Sequence, residues 1–336
     1  MKNSLTIGID VSKLTLDWAV FNGQKIIFRF HGENTQSGIK AFLSKLKKEK
    51  ISAEEALYCL EYTGLYINPS LYYLHEKRLK VWVETPLQIK RSMGFTRGKN
   101  DSVDAERIAI YAFKNQEKAR LWSPPRLVIV KLKALSRLRS KLIQNLNSIT
   151  VPLAEAEKYL DHATFQSMNM LSKKSRLALK KDIEAIDQEI KKTMKADDLL
   201  NHLNNIITSV VGVGIQTSVT ILVSTNEFKS INDARKFACY AGVVPFEYQS
   251  GKSLNFKPTV SQYANKEVKK LLHMAALSSI AMNSEFKDYF DRKVKNGKSK
   301  MLVINAIRNK IIHRIFACVK ENRIYEKNLE VYLANP

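Results

Sequence analysis

Cysteine is scarce and scattered in this sequence: Cys59, Cys239 and Cys318 are the only three among 336 residues. None belongs to a Cys-x-x-Cys pair, which excludes a zinc knuckle, and an odd, dispersed set excludes a disulfide framework. A reduced, intracellular compartment is therefore expected. No secretory leader is expected, because the apolar run in "MKNSLTIGIDVSK" is too short and a charge interrupts it. The uncharged "LNNIITSVVGVGIQTSVTILVSTN" approaches transmembrane length. Asn, Ser, Thr, Gln and a central Gly-Val-Gly stud it, however, so two short buried helices joined by a tight turn are expected, and no membrane. Nothing repeats at a fixed period and no segment is low in complexity. Acid is the remaining shortage: Asp and Glu total 32 against 55 Lys and Arg, a formal charge of +23. That imbalance points to a polyanionic partner, most commonly nucleic acid.

The chain length leaves room for two or three domains. In the first third, strand and helix signals alternate. "SLTIGID", "TLDWAVF" and "KIIFRFH" read as strands and "NTQSGIKAFLSKLKKEK" as a helix; "EALYCLE" is a strand, "YINPSLYYLHEKR" a helix and "LKVWVET" a strand. The layout is α/β, a mixed sheet covered by helices, over residues 1–122. Pro124 and Pro125 in "RLWSPPR" end any helix running from Asp101 to Phe113. Val128, Leu132, Leu135, Leu138, Leu142 and Leu146 then recur at helical spacing, as do Leu179, Ile183, Ile186, Ile190 and Met194. Residues 123–200 thus read as an antiparallel helical hairpin or coiled coil. It is either a spacer or a basic arm that pairs subunits or tracks phosphates. Residues 201–336 read as mostly helical, with "INDARKFACYAGVVP", "VKKLLHMAALSSIAM" and "KMLVINAIRNKIIHRIFACV" as helices. Gly212 and Gly214 are either packing glycines or part of a turn that offers N–H groups to a phosphate.

The acids that remain are not placed at random. Asp10 ends the first strand, Glu61 ends a later one, and Asp101 and Asp104 share a face at i and i+3 on a helix. Strand ends can open into one crevice, and a helix packed above would bring four carboxylates together. Such a group cannot remain ionised without cations. Magnesium, with its preference for carboxylate oxygen, is the expected ion, and manganese a substitute. Two such ions roughly 4 Å apart act on phosphodiesters. Each acid also has a plain structural reading: Asp101 as a helix cap, Asp104 as a partner of Arg107, Glu61 as a cap of the turn "YTG". Asp17, Glu84 and Glu106 do not fit the ordered pattern.

"IGIDVSK", "LEYTG" and "GKNDSVDAERIA", in that order, resemble the RuvC-like, ribonuclease-H-fold domain of the DEDD transposases of the IS-one-ten class, which includes the pilin-gene invertases. "YAGVVPFEYQSGKS" resembles the second domain of that family. The resemblance implies that Asp10, Glu61, Asp101 and Asp104 are a metal-binding catalytic tetrad. It implies a serine nucleophile in the later tract, where Ser250 is the best match and Ser253 lies just beyond. Gln249 and Lys252 depart there from the family's Ser-Ser-Gly-Gly-like pattern. It also implies a homo-oligomer, a dimer or a tetramer in the synaptic complex, in which the serine of one domain meets the tetrad of the other across protomers. Donor and target DNA and a structured noncoding RNA of the element are the implied partners.

A serine suits such chemistry because rejoining must conserve phosphodiester energy, which a covalent protein–DNA link achieves. Lys90, Arg91, Arg97 and Lys99 precede the D-x-x-D and are candidate phosphate contacts, as are Lys131, Arg137 and Lys252. No stacking platform or base-reading motif is evident, which suits a protein that leaves sequence recognition to base pairing. The expected function is a Mg-dependent DNA transposase or site-specific recombinase, cytoplasmic at the bacterial nucleoid. The alternatives are a RuvC-like junction-resolving nuclease that uses water, and a non-catalytic nucleic-acid scaffold.

Overall fold

The computed structural model describes residues 4–92, 101–250, 254–260, 264–282 and 285–326; the side chains of 101, 247–250 and 254–258 lie outside that description. The chain divides into two compact units, Met1–Pro124 and Pro125–Pro336.

The first unit follows the expected alternation of strands and helices from β1 to β5. Strands β1 (Leu5–Val11), β2 (Thr15–Phe21) and β3 (Ile26–Glu33) precede α1 (Gln36–Lys48), β4 (Ala56–Glu61), α2 (Asn68–Glu76) and β5 (Lys80–Glu84). Helices α3 (Pro86–Ser92) and α4 (Asp101–Asn115) and a 3-10 turn at Gln116–Lys118 complete it. The sheet order is β3-β2-β1-β4-β5. β1 pairs antiparallel with β2 and parallel with β4, and β4 pairs parallel with β5. This is the mixed sheet of a ribonuclease-H-like fold. β1, β2 and β4 read as near-continuous apolar runs because both their faces are covered. Ile7, Ile9, Leu16, Trp18 and Val20 face Phe42 and Leu46 of α1 and Leu71 and Leu74 of α2, with Trp18 stacked on Phe42 at 4.0 Å. The opposite face, through Ala19, Leu57, Cys59 and Trp82, packs under Ala105, Ile108, Ala109 and Ala112 of α4.

The second unit begins with a hairpin of α5 (Leu127–Ala156) and α6 (His162–Lys195). The helices run antiparallel, since Lys131 pairs with Glu189 and Arg139 with Asp187. Leu132 is buried, and Val128, Leu135 and Leu142 pack beside it. Leu138 departs from the expected stripe and is 51% exposed, whereas Ile129 is buried. Two successive three-residue steps each lag the helical turn by about 60°, which carries Leu138 about 120° round from Leu132. Next come α7 (Asp198–Ser209) and α8 (Ile215–Thr225), the two short helices expected in the uncharged stretch. Gly212 between them has φ +84°, and a Cβ there would lie 2.4 Å from the Ala275 carbonyl oxygen, so close packing accounts for it. No described helix is long and apolar enough to cross a membrane. α9 (Ala234–Tyr240), β6 (Pro245–Ser250), β7 (Leu254–Val260), α10 (Lys266–Ala281), α11 (Glu285–Lys295) and α12 (Lys300–Lys320) follow. The β6–β7 pair, α3 and α11 are elements that the apolar periodicity did not reveal, because polar residues dominate them.

One ionic junction ties three helix ends of this unit. Arg126, at the start of α5, donates from Nε to both Glu227 carboxylate oxygens, at 2.9 and 3.1 Å, and from Nη1 to Asp197 at 2.7 Å. Asp197 caps α7 by accepting from Leu200 N–H at 3.0 Å. The Glu227 side chain is 1% exposed and also accepts from Lys229. Glu227 lies in a left-handed turn with Asn226 and Phe228 (φ 57°, 47° and 63°), a conformation that costs about 1–2 kcal/mol per residue. Burial pushes the Glu227 carboxyl up, but hydrogen bonds and charge from Arg126 and Lys229 outweigh it and hold it below the ordinary value. A depressed folded-state value gives stability that is fully present above the unfolded carboxylate pKa of about 4.3 and is lost as pH falls through the folded value. Arg126→Ala is therefore expected to cost about 3 kcal/mol in urea unfolding at pH 7. The gap from wild type should narrow below about pH 4; a gap independent of pH would show that the junction is not ionic in origin.

Candidate active site at the strand ends

The sheet register builds a row of carboxylates. Ile9 of β1 lies opposite Leu60 of β4, so the next step along the two parallel strands sets Asp10 beside Glu61. Glu61 pairs in turn with Glu84 of β5, and Asp10 with Asp17 of β2. Paired residues project from the same face of a sheet. Two residues earlier on β1, β4 and β5, Gly8, Cys59 and Trp82 lie under α4, as does Ala19, two residues later on the antiparallel β2. Asp17, Asp10, Glu61 and Glu84 therefore cross four adjacent strands on the α4 side, about 4.8 Å from strand to strand.

Helix α4 runs antiparallel to β1 at unusually close range. Thr6 Oγ1 donates to the Ala109 carbonyl at 2.9 Å. A Cβ on Gly8 would lie 2.1 Å from the Ala105 carbonyl oxygen and 2.3 Å from Ala109 N, so only glycine fits there. Two strand residues advance about 6.6 Å and four helix residues about 6.0 Å. Thr6 thus meets Ala109, Gly8 meets Ala105, and one step further Asp10 meets the first turn of α4, which carries Asp101 and Asp104.

The acids differ in their partners. Asp17 Oδ1 is 3.0 Å from His31 Nδ1. Glu84 accepts from the Tyr111 hydroxyl at 3.0 Å and from Thr85 N–H at 2.7 Å. Arg107 Nη1 donates to Asp104 at 2.7 Å, which is the plain reading of that residue; Glu106 pairs with Arg29 of β3. Asp10 and Glu61, half-buried, occupy the middle of the row. Beneath it, burial, then Glu84, then Glu61, pushes the Cys59 thiol well above its ordinary range. Among the described residues no group of three His, Cys, Asp or Glu side chains converges tightly enough to hold an ion; the Asp101 side chain lies outside them. The donor chemistry nevertheless fits a hard divalent cation: carboxylates on neighbouring strand ends, a fixed helix above, and a negative field at the row.

The other expected residues are dispersed. Ser250 is the last residue of β6, paired with Leu254; its side chain, like Lys252 and Ser253, lies outside the described residues. Arg97 and Lys99 lie outside them too. Lys90 and Arg91 are exposed in the last turn of α3. Lys131 is engaged by Glu189 at 2.5 Å, and Arg137 is exposed on α5. Asp17 and Glu84 are the residues that sequence order set aside and the register brings in. Glu84 carried a usable signal, an acid ending an apolar strand, as Glu61 does. Tyr62, Leu65 and Tyr66, just after Glu61, are exposed apolar side chains that no motif announced.

Because the helix-to-strand approach sets this geometry, Gly8→Val should cost about 3 kcal/mol or more in chemical denaturation. An unchanged midpoint would mean that α4 does not lie on β1.

The chain is similar to several known proteins. A family model for DEDD transposases of the IS110 type matches residues 7–156, and the "Transposase IS116/IS110/IS902 family" model matches residues 204–291. The pilin gene-inverting protein of Moraxella bovis is 26% identical over 327 residues, 96% of this chain and 98% of its own length. An uncharacterized 43.6 kDa protein of insertion element IS110 from Streptomyces coelicolor is 24% identical over 46% of this chain and 37% of its own. The structure of T. thermophilus RuvC in complex with Holliday junction substrate is 16% identical, covering 35% of this chain and 99% of that one, with a TM-score of 0.28. Both family models and the pilin gene-inverting relatives support an IS110-type DEDD transposase/recombinase, a DNA recombinase/transposase enzyme.

Proposed function

We propose that this transposase cuts and rejoins DNA through a serine–DNA covalent intermediate. The observation that carries the proposal is the placement of Asp10 and Glu61 on adjacent strand ends beneath the first turn of α4. Asp10 and Glu61 from the sheet and Asp101 and Asp104 from the helix would hold Mg2+. When bound, the ion supplies charge neutralisation at the scissile phosphate and lowers the pKa of a coordinated hydroxyl. Ser250 supplies the nucleophile: its Oγ–P bond forms as one P–O bond of the strand breaks, and the departing sugar hydroxyl takes a proton. Attack by a sugar hydroxyl of the second DNA reverses the step and frees the serine, so no phosphodiester energy is lost to water.

Positive charge does the remaining work. Lys90, Arg91, Arg97 and Lys99 hold phosphates beside the tetrad, with Lys131, Arg137 and Lys252 as further contacts in a chain of formal charge +23. The α5–α6 arm, within 123–200, pairs subunits or tracks a strand. A structured RNA of the element pairs with donor and target, and the protein works in the cytoplasm as a dimer that assembles to a tetramer. The pilin gene-inverting relatives support site-specific rearrangement as the outcome.

The test is strand transfer between donor and target DNA with Mg2+ and the element's RNA. Wild type should yield joined product and, on a denaturing gel, a protein–DNA adduct. Ser250→Ala should abolish both. Asp10→Ala should lower the rate by at least about 100-fold while unfolding normally. Full transfer by Ser250→Ala would remove the serine step. Hydrolysed ends without an adduct would instead establish the water-using junction nuclease.

A further inference from the structure

At the outer edge of β5 lies a cavity of about 590 Å³, floored by Trp82, Tyr111 and Glu84 and rimmed by Arg91, Lys118 and Arg120. The floor rings are buried and lie 5.4 Å apart, while the three cations are exposed. The backbone that presents the rim is pinned to the sheet. Leu121 bridges to Trp82, and Trp122 N–H donates to the Val81 carbonyl at 2.7 Å. Ala119 N–H closes the preceding turn on Gln116 at 3.1 Å. Three cations thus face one carboxylate across the cavity, and Tyr111 and Thr85 already engage that carboxylate.

We propose that this cavity seats a backbone phosphate of a nucleic-acid strand on Arg91, Lys118 and Arg120. Arginine and lysine around a concave, rigid floor suit a phosphodiester, which accepts several charge-assisted hydrogen bonds at once. The position is apt as well. Glu84 stands two strand spacings from Asp10, about 10 Å, the advance of about three phosphates along one strand of a duplex. A strand cut at the carboxylate row therefore reaches the cavity a few nucleotides away, where its cations offset the repulsion of the row itself. The inference rests on the proposed function for its setting and deepens it by naming where the strand is held.

The probes are fluorescently labelled 20-nucleotide oligo-dT and oligo-U, titrated by anisotropy with the full chain in EDTA across a range of salt concentrations. EDTA removes any contribution from a metal-bridged phosphate. Each lost contact to a single strand lowers the slope of log affinity against log salt by about 0.7. Lys118→Gln/Arg120→Gln should therefore lower the slope by about 1.4 and weaken binding about 20-fold at 0.1 M salt. Lys118→Gln alone should lower the slope by about 0.7, which keeps the test decisive if the double variant unfolds. A drop on oligo-dT, on oligo-U or on both supports the cavity and identifies the strand it seats. Unchanged slopes on both overturn it, even where strand transfer proceeds. Wild type that binds with the expected slopes yet transfers no strand counts against the proposed function and leaves the cavity standing.

Discussion

The contact between α4 and β1 is the constraint on which the catalytic unit depends. A helix backbone can approach a strand so closely only where side chains are nearly absent, and Gly8, Ala105 and Ala109 meet that condition. The Thr6 hydroxyl bonded to the Ala109 carbonyl fixes the helix in register along the strand. Once the register is set, the first turn of α4 has to lie over the ends of β1 and β4. The turn that carries Asp101 and Asp104 is thereby brought by packing alone toward the end of β1 that carries Asp10, about 90 residues earlier in the chain. The apolar contacts place the polar ones.

Charge explains the rest of the arrangement. Four carboxylates on adjacent strands repel one another, and the outer two are quieted locally, Asp17 by His31 and Glu84 by Tyr111 and Thr85. The inner two lie toward the first turn of α4, and on the proposed reading the middle of the row is where a divalent ion would relieve repulsion. The chain as a whole is strongly basic, with 55 Lys and Arg against 32 Asp and Glu, so the proposed function divides the work: acids for the ion, cations for phosphates. Arg107 stands between the two roles, holding Asp104 in place by an ion pair about a quarter exposed on each side.

Much of the first unit is legible because β1, β2 and β4 are buried on both faces and β4 and β5 end on an acid. The run "EALYCLE" became β4 with Glu61 at its end, and "LKVWVET" became β5. The D-x-x-D spacing announced a helical face, which α4 supplies. Cross-strand register was not legible, since pairing depends on how distant strands align; for that reason Asp17 and Glu84 were set aside although they lie in the same row. Leu138 misled because steps of three look helical while drifting round the axis. The cavity at β5 was invisible for the same reason as the register: Lys118 and Arg120 reach it only because Leu121 and Trp122 fold back on the sheet. The link from Ser250 to the tetrad rests on the family resemblance.

The claim at the centre is that these four carboxylates, contributed by three separated segments, hold one ion site. Iron-directed cleavage tests it without reference to activity: Fe2+ replaces the native ion, ascorbate and peroxide generate hydroxyl radicals at the bound iron, and mass spectrometry locates the backbone cuts. The account predicts cuts clustered near Asp10, Glu61 and 101–104, all suppressed by excess Mg2+ and all lost together in Asp10→Asn. Cuts confined to one segment, or cuts elsewhere that Mg2+ suppresses, would contradict it.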